Sequence, residues 1–239
     1  MLPGIMSLAG FAGGGASGVV EYVSAGFTTD TADLTTYTLA GVDLGAAASD
    51  RRIFVVIHSL GPSIVMTLNS GSIGGVGASI VKQETTSVTG IGHGGIAFGI
   101  HTSVMTAAVP TGATGTVSLT FNAAASGVAI AVFRATGMSR TTAFDTLSVE
   151  NTDPSANLSG GIDVEAGGFV IAATVDSDIS ESVSWTGVTE QYDATGVGGS
   201  VRISLAWSSN LSAETNRTIT AAVGGASDES NNLVAISWS

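Results

Sequence analysis

The most regular hydrophobic pattern lies between Gly95 and Thr136, where three short apolar runs are separated by turns rich in Gly, Pro and Asn. Within the runs, apolar residues alternate with small polar ones or form continuous β-branched stretches, a pattern typical of antiparallel strands. The same order of runs returns at residues 199–207, 217–223 and 232–238. The pattern therefore predicts a β unit that occurs twice in the chain.

Similar runs predict the remaining strands of the first half: 19–24, 34–39, 53–58, 64–68 and, after a glycine-kinked start, 73–82. The run 53–58 is almost entirely apolar and β-branched, which indicates a central strand covered on both faces. Residues 28–33 are polar and are predicted to form a turn.

The second half is predicted to contain strands at 143–149, 168–175 and 185–192, followed by the three repeated runs. No stretch combines helical periodicity with helix caps. We therefore predict an all-β fold of two jelly-roll-like antiparallel β-sandwich units that arise from an internal duplication. The two units either pack side by side or merge into one sandwich of about fourteen strands. The predicted parts are an N-terminal arm (1–18), unit 1 (19–139) and unit 2 (140–239), with the boundary between the units at 137–140.

Composition limits the kinds of partner. Charged residues make up 11% of the chain, against about 25% in ordinary domains, whereas hydrophobic residues make up 44%. Either the surface is rich in Ser and Thr or other proteins cover much of it. The net charge of −12 and the lack of clustered basic residues exclude a nucleic-acid surface. Arg51 and Arg52 are predicted to be a solvated pair, and the lack of cysteine excludes disulfides and thiol catalysis.

The N-terminal segment is apolar but is interrupted by Pro3, Gly4 and Gly10. It lacks the positive charge of a secretory signal and is too short to span a bilayer. Either it folds back on its own unit, or it is an arm that docks on a neighbouring subunit, which we favour. The predicted partner-binding residues of the arm are Leu2, Ile5, Met6, Leu8 and Phe11.

Few residues suggest chemistry. His58 and His101 lie in predicted strands and are interpreted as core or rim histidines, whereas His93 lies in a glycine turn. Asp176, Asp178 and Glu181 cluster in one loop. We interpret this cluster either as a solvated turn or as a Ca²⁺ site, although its spacing is not that of an EF-hand loop. No nucleophile elbow occurs. We therefore predict no catalytic residues, no cofactor and no assigned metal ligand.

Three sequence blocks carry a resemblance to a known class of proteins. They are the opening Met-Leu-Pro-Gly-Ile, the run from Tyr37 through Arg51-Arg52 to His58, and Gly115-Thr-Val-Ser-Leu-Thr-Phe leading to the Ala129–Arg134 run. Residues 1–136 resemble small β-rich structural proteins of tailed-bacteriophage virions, of the fibre, tail and capsid-decoration type. The resemblance implies a non-enzymatic role in the virion and transfers no catalytic residue.

We therefore expect a virion protein, present in several copies or as a homo-oligomer, that attaches to other head, neck or tail proteins through its arm. No nucleic-acid or membrane partner is expected. The alternative is a carbohydrate-binding module for a host-surface glycan, which would need exposed aromatic side chains for sugar stacking. The candidates are Trp185, Tyr192, Trp207 and Trp238, although their apolar neighbours favour core positions.

Overall fold

Four antiparallel sheets are stacked face to face in the computed structural model, which describes residues 18–23, 28–62, 65–88, 98–151, 157–179, 182–223 and 230–239. The strands of the first half are β1 Val19–Tyr22, β2 Thr28–Asp30, β3 Leu34–Asp43, β4 Arg52–Gly61, β5 Leu68–Ile73, β6 Val76–Gly77, β7 Ser79–Val88, β8 Phe98–Ala108, β9 Thr114–Ala125 and β10 Gly127–Thr136. Those of the second half are β11 Asp145–Asn151, β12 Leu158–Val164, β13 Gly168–Asp176, β14 Val183–Thr186, β15 Thr189–Thr195, β16 Arg202–Leu211, β17 Glu214–Val223 and β18 Asn231–Trp238, with a 3₁₀ turn at Val197–Gly199.

Each half contributes two sheets. Inner sheet 1 has the order β1-β10-β4-β8-β7, with β2 also paired to β10, and outer sheet 1 has the order β3-β9-β5-β6. Inner sheet 2 has the order β11-β18-β13-β16-β15, and outer sheet 2 has the order β12-β17-β14. The predicted all-β class with antiparallel sandwich packing is confirmed.

The inner sheets are covered on both faces, as the apolar run 53–58 predicts. Along β4, Ile53, Val55 and Ile57 pack against outer sheet 1. The alternate residues Phe54 and Val56 pack against inner sheet 2. This alternation follows from the period of two in a strand, and here both faces are apolar because both meet another sheet. The layers therefore run outer 1, inner 1, inner 2, outer 2.

The two halves share one strand connectivity. The inner order β1-β10-β4-β8-β7 corresponds strand by strand to β11-β18-β13-β16-β15, and β3-β9-β5 corresponds to β12-β17-β14. A duplication is our interpretation of this correspondence, and the jelly-roll description of each unit stays a prediction.

The two inner sheets pack against each other in the arrangement that a two-fold axis parallel to the strands would produce. Strand β7 lies over β11 and β18, whereas β1 lies at the other side near β16, so the lateral order is reversed. Phe54 and Phe169 occupy equivalent positions on β4 and β13 and touch edge to face, with ring centroids 5.5 Å apart. The seam between the inner sheets therefore resembles the self-complementary interface of a two-fold dimer within one chain.

Three local predictions are wrong. The run 64–68 is not one strand, because Val65 lies in a turn and β5 begins only at Leu68. The run 185–192 is divided between β14 in outer sheet 2 and β15 in inner sheet 2. Gly187 makes this change of sheet with a φ of +87°, and a Cβ there would lie 2.1 Å from the Thr218 carbonyl oxygen. Residues 28–30 of the predicted turn form the short strand β2.

The prediction of a solvated pair is wrong for Arg51, whose side chain is buried with 1% of its surface exposed. Its guanidinium donates to backbone carbonyls of the β3–β4 and β8–β9 loops: Leu44 (3.3 Å), Gly45 (2.8 Å), Val109 (2.6 Å), Thr111 (2.8 Å) and Gly112 (2.7 Å). A planar fork with five N–H donors suits this task, because the loop carbonyls point inward without strand partners. Arg52, by contrast, is half-buried with its guanidinium 5.6 Å from the centre of the Trp238 ring.

Replacing Arg51 tests this role. Arg51→Lys keeps the charge but offers at most three donors from one point, so we expect the free energy of unfolding to fall by about 2–4 kcal/mol. The adjacent Arg52→Lys is the matched control and should cost less than about 1 kcal/mol. Urea denaturation of both variants measures the difference, and equal losses would contradict the assignment.

Candidate functional site

The predicted arm residues Leu2, Ile5, Met6, Leu8 and Phe11 lie outside the described residues. The described chain begins at Gly18, which packs beside Met138 at the start of β1. The described chain therefore starts at the end of inner sheet 1 where the chain also crosses to unit 2.

The histidines of the described chain are fully buried on neighbouring strands. His58 on β4 faces inner sheet 2, and its Nδ1 lies 3.2 Å from Thr102 Oγ1. His101 on β8 faces outer sheet 1, and its Nδ1 lies 2.8 Å from Thr85 Oγ1. The two rings therefore lie on opposite faces of one sheet and cannot share a metal ion. His93 lies outside the described residues.

Hydrogen bonding fixes the tautomer of His101. The Thr85 hydroxyl donates to the Met66 carbonyl oxygen, so it must accept from His101 Nδ1–H. Nε2 is then the unprotonated nitrogen, and the ring meets Phe121 edge to face at 5.9 Å. Burial lowers the pKa of both His58 and His101 to about 3. Both rings are therefore neutral at pH 7.

A serine pair accompanies His101 but does not form a catalytic site. Ser59 is its direct neighbour on β4, and Ser103 lies two residues further along β8 on the same face. Their hydroxyls and His101 Nε2 are buried without a hydrogen-bond partner. All three residues have no exposed surface, so a substrate cannot reach them without opening the sandwich.

An open groove of about 500 Å³ lies at the end of unit 2 that contains Ser239, with Asp163, Glu165, Glu214 and Phe144 among its lining residues. Glu165 forms a bidentate pair with Arg140, which holds the Glu165 pKa down at about 2. A general acid for glycoside cleavage needs a raised pKa. Glu165 therefore cannot protonate a leaving group at neutral pH, although three carboxylates share the groove.

The aromatic residues that a sugar-binding site would need are packed against the protein itself. Trp238 is buried between the inner sheets, with its ring 5.0 Å from Phe54, and its Nε1 donates to the Arg140 carbonyl. Trp207 packs at 6.0 Å against Phe133 in the same layer, beside Tyr192. The half-buried Trp185 and Trp207 also bind side chains: Trp185 Nε1 donates to Ser204 Oγ and Trp207 Nε1 to Gln191 Oε1. Among the described residues, this set offers no open aromatic platform.

The interpretation of the acidic cluster as a solvated turn is wrong for Asp176. Asp176 ends β13 with 2% of its surface exposed, and its Oδ1 accepts the Asp178 backbone N–H at 2.9 Å. Burial raises the Asp176 pKa to about 6, and neighbouring Asp178 adds to the rise. Glu181, the third member, lies outside the described residues. Within those residues, no group of three or more His, Asp or Glu side chains could hold a metal ion.

Comparison with known proteins gives no relative. No protein family, curated protein or solved structure matches the chain. In the described part of the chain, no helix is both long and apolar enough to cross a membrane.

Sequence reasoning missed two features. The first is the burial of Arg51, and the available signal was a pair of basic residues directly before the apolar run 53–58. The second is the groove, which brings together Ser139, Phe144, residues 163–166, residues 213–215 and Ser239. No local signal in the sequence connects these segments, because only the pairing of outer sheet 2 and the position of Ser239 bring them together.

The buried histidines predict acid lability. The folded-state pKa of about 3 lies below the unfolded value of 6.5, so unfolding takes up protons and stability falls as pH drops below 6.5. Each ring should remove about 1.4 kcal/mol per pH unit in this range. His101→Asn keeps a donor for Thr85 without titrating, and should make the loss of stability between pH 6.5 and 4.5 less steep by that amount.

Urea denaturation at several pH values measures this slope. His58→Asn should give the same change, and the double variant should give twice the change. The carboxylates are the same in the wild type, the two single variants and the double variant. An unchanged dependence of stability on pH in the variants would therefore contradict the assignment of the acid lability to the buried histidines.

Proposed function

We propose that this chain is a non-enzymatic structural protein of a bacteriophage virion, a tail, neck or fibre component or a capsid decoration protein, attached through its N-terminal arm. The sequence resemblance of residues 1–136 supports the phage assignment. The main observation in support of the structural role is that the folded body covers its apolar sheet faces itself and protects its sheet edges. The arm is then the segment left for attachment to other virion proteins.

The facing apolar surfaces of the two inner sheets cover each other within the same chain. Phe54, Phe133, Phe169 and Trp238, which would be exposed on isolated units, are buried against the opposite inner sheet. In many oligomers such a face is covered by a second copy. Here the chain supplies both partners, so further copies need another surface.

Strand addition at the sheet edges is also disfavoured. The edge strands β3, β7, β12 and β15 each carry a register shift against their neighbour. The edge strands β1, β2, β6 and β14 have four residues or fewer. Bulges and short edges are known protections against edge-to-edge pairing. The seven-residue β11 lies against β7 and β12.

The outer faces carry hydroxyl groups. On outer sheet 1, cross-strand rows join Thr36 with Thr120 and Ser70, and Thr38 with Ser118 and Ser72. Uncharged hydroxyls are well solvated and supply little hydrophobic driving force. These faces support the first of the two compositional alternatives, a surface rich in Ser and Thr, and leave an apolar arm as the stronger anchor.

Deletion of the arm tests the attachment. Removing residues 1–16 should leave the denaturation midpoint unchanged, because β1 starts only at Val19, but the truncated chain should fail to join phage particles. Each large apolar side chain docked on a partner contributes roughly 1.5–3 kcal/mol before ordering costs. Replacing Leu2, Ile5, Met6, Leu8 and Phe11 with Ser at full length separates apolarity from length. Normal incorporation of either variant would exclude the arm as the anchor.

Charge predicts the orientation. Residues 1–139 carry four basic and six acidic side chains, a net charge of −2, whereas residues 140–239 carry three basic and thirteen acidic ones, a net charge of −10. Buried contacts avoid unpaired charge and solvent-facing surfaces tolerate it. Unit 1 should therefore face the particle, with stronger hydrogen-exchange protection on assembly than unit 2. Greater protection of unit 2 would contradict the charge argument.

A further inference from the structure

The end of inner sheet 2 that contains Asp176 is a firmly built corner. Asp176 on β13 is the cross-strand partner of Asn231 on β18. The next residues are also joined, because Ser177 N–H donates to the Ser230 carbonyl (3.1 Å) and Ser230 N–H donates to Ser177 Oγ (2.9 Å). The side chains of Asp176 and Asn231 are therefore held on a rigid frame.

This corner contains more buried oxygen acceptors than the surrounding protein satisfies. Asp176 and Asn231 are 2% and 1% exposed. Asn231 Oδ1 is buried without a hydrogen-bond donor, although the same side chain contacts the Asp176 carboxylate. A second carboxylate, that of half-buried Asp178, follows two residues after the first. An unpaired buried acceptor is costly, so the arrangement favours a cation as the missing partner.

The arginines of residues 140–239 form ion pairs with carboxylates other than that of Asp176. Arg202 lies directly across from Asp176 on β16, yet its guanidinium forms a bidentate pair with Asp193 at 2.7 and 2.5 Å. The other arginines of residues 140–239 are also paired, Arg140 with Glu165 and Arg217 with Glu214. Residues 140–239 contain no lysine. These arginines therefore provide no counter-ion for Asp176.

We propose that the carboxylates of Asp176 and Asp178 and the side-chain oxygen of Asn231 form a Ca²⁺ site at this corner. Carboxylate and amide oxygens are the ligands that Ca²⁺ prefers, and its flexible coordination tolerates water in the remaining positions. The set has no nitrogen or sulfur ligand for Zn²⁺. Mg²⁺ demands a stricter octahedral geometry and gives up its water reluctantly. The site is independent of the proposed virion role.

Protons should compete with the ion, because Ca²⁺ binding requires ionised carboxylates.

The test compares denaturation midpoints of the full chain at pH 7.5 in EDTA and in CaCl₂ up to about 10 mM, a range that covers weak extracellular-type sites. We expect Ca²⁺ to raise the wild-type midpoint by several degrees, with a smaller shift for equal MgCl₂. Asp176→Asn should lose the Ca²⁺ shift, and in EDTA it should be more stable than the wild type because a buried charge is gone. The order of stability of the two proteins should therefore reverse between the two buffers.

Asp145→Asn is the matched control. Asp145 starts β11 at the opposite end of the same unit, and its carboxylate likewise accepts backbone N–H groups, from Thr146 (2.7 Å) and Asp163 (2.8 Å). This variant should keep the full Ca²⁺ shift. Absence of a Ca²⁺ shift in the wild type, or an equal shift in Asp176→Asn, would overturn the proposal.

A second variant covers the case in which Asp176→Asn fails to fold. Asn231→Asp adds a third carboxylate, so it should lower the midpoint in EDTA and enlarge the Ca²⁺ shift. Calorimetric titration should give one bound Ca²⁺ per chain and a tighter Kd in this variant. An unchanged or weaker affinity would contradict the assignment of Asn231 as a ligand.

Discussion

The packing of the two inner sheets against each other is the constraint on which the rest of the structure depends. Each inner sheet is apolar on both faces, so neither unit could leave its inner sheet uncovered without exposing a large apolar surface. Aromatic residues make up only 6% of the chain, yet Phe54, Phe133, Phe169, Trp207 and Trp238 gather at this seam. Large rings bury the most area per residue, so a chain with few of them gains most by placing them where two sheets meet.

This layering also explains why the titratable core residues influence stability rather than chemistry. Strands buried on both faces have no solvent side on which to place a polar residue, so His58 and His101 are enclosed whichever way they face. The pKa shifts of the two histidine rings and the pKa shift of Asp176 have opposite effects on stability as the pH falls. Below pH 6.5 each histidine lowers stability, whereas protonation of Asp176 between about pH 6 and its unfolded value raises it. Two histidines outweigh one carboxylate, so their combined effect is loss of stability in acid.

The sequence predicted those features of the fold that depend on strand period. The continuous apolar run 53–58 indicated a doubly covered strand, and the repeated runs indicated a shared strand order in both halves. Features that depend on which sheet a strand joins were not predictable from local pattern. Trp185 and Tyr192 share one alternating run, yet a glycine hairpin sends them to different sheets. The buried state of Arg51 likewise depends on its contacts with the β8–β9 loop, 58 to 61 residues away, in addition to its own loop.

The same separation between local and tertiary information applies to Asp176. In the sequence, Asp176, Asp178 and Glu181 read as an acidic loop, and acidic loops are usually solvated. The β13–β18 register makes the difference, because it places Asn231 against Asp176 and closes both from water. In addition, the arginines of unit 2 are used in pairs with Glu165, Asp193 and Glu214, so ten negative charges remain uncompensated by basic side chains. A unit in this electrostatic state lowers its self-repulsion by binding cations from solution, and the enclosed oxygen ligands at Asp176 are where its structure favours a dehydrated cation over diffuse screening.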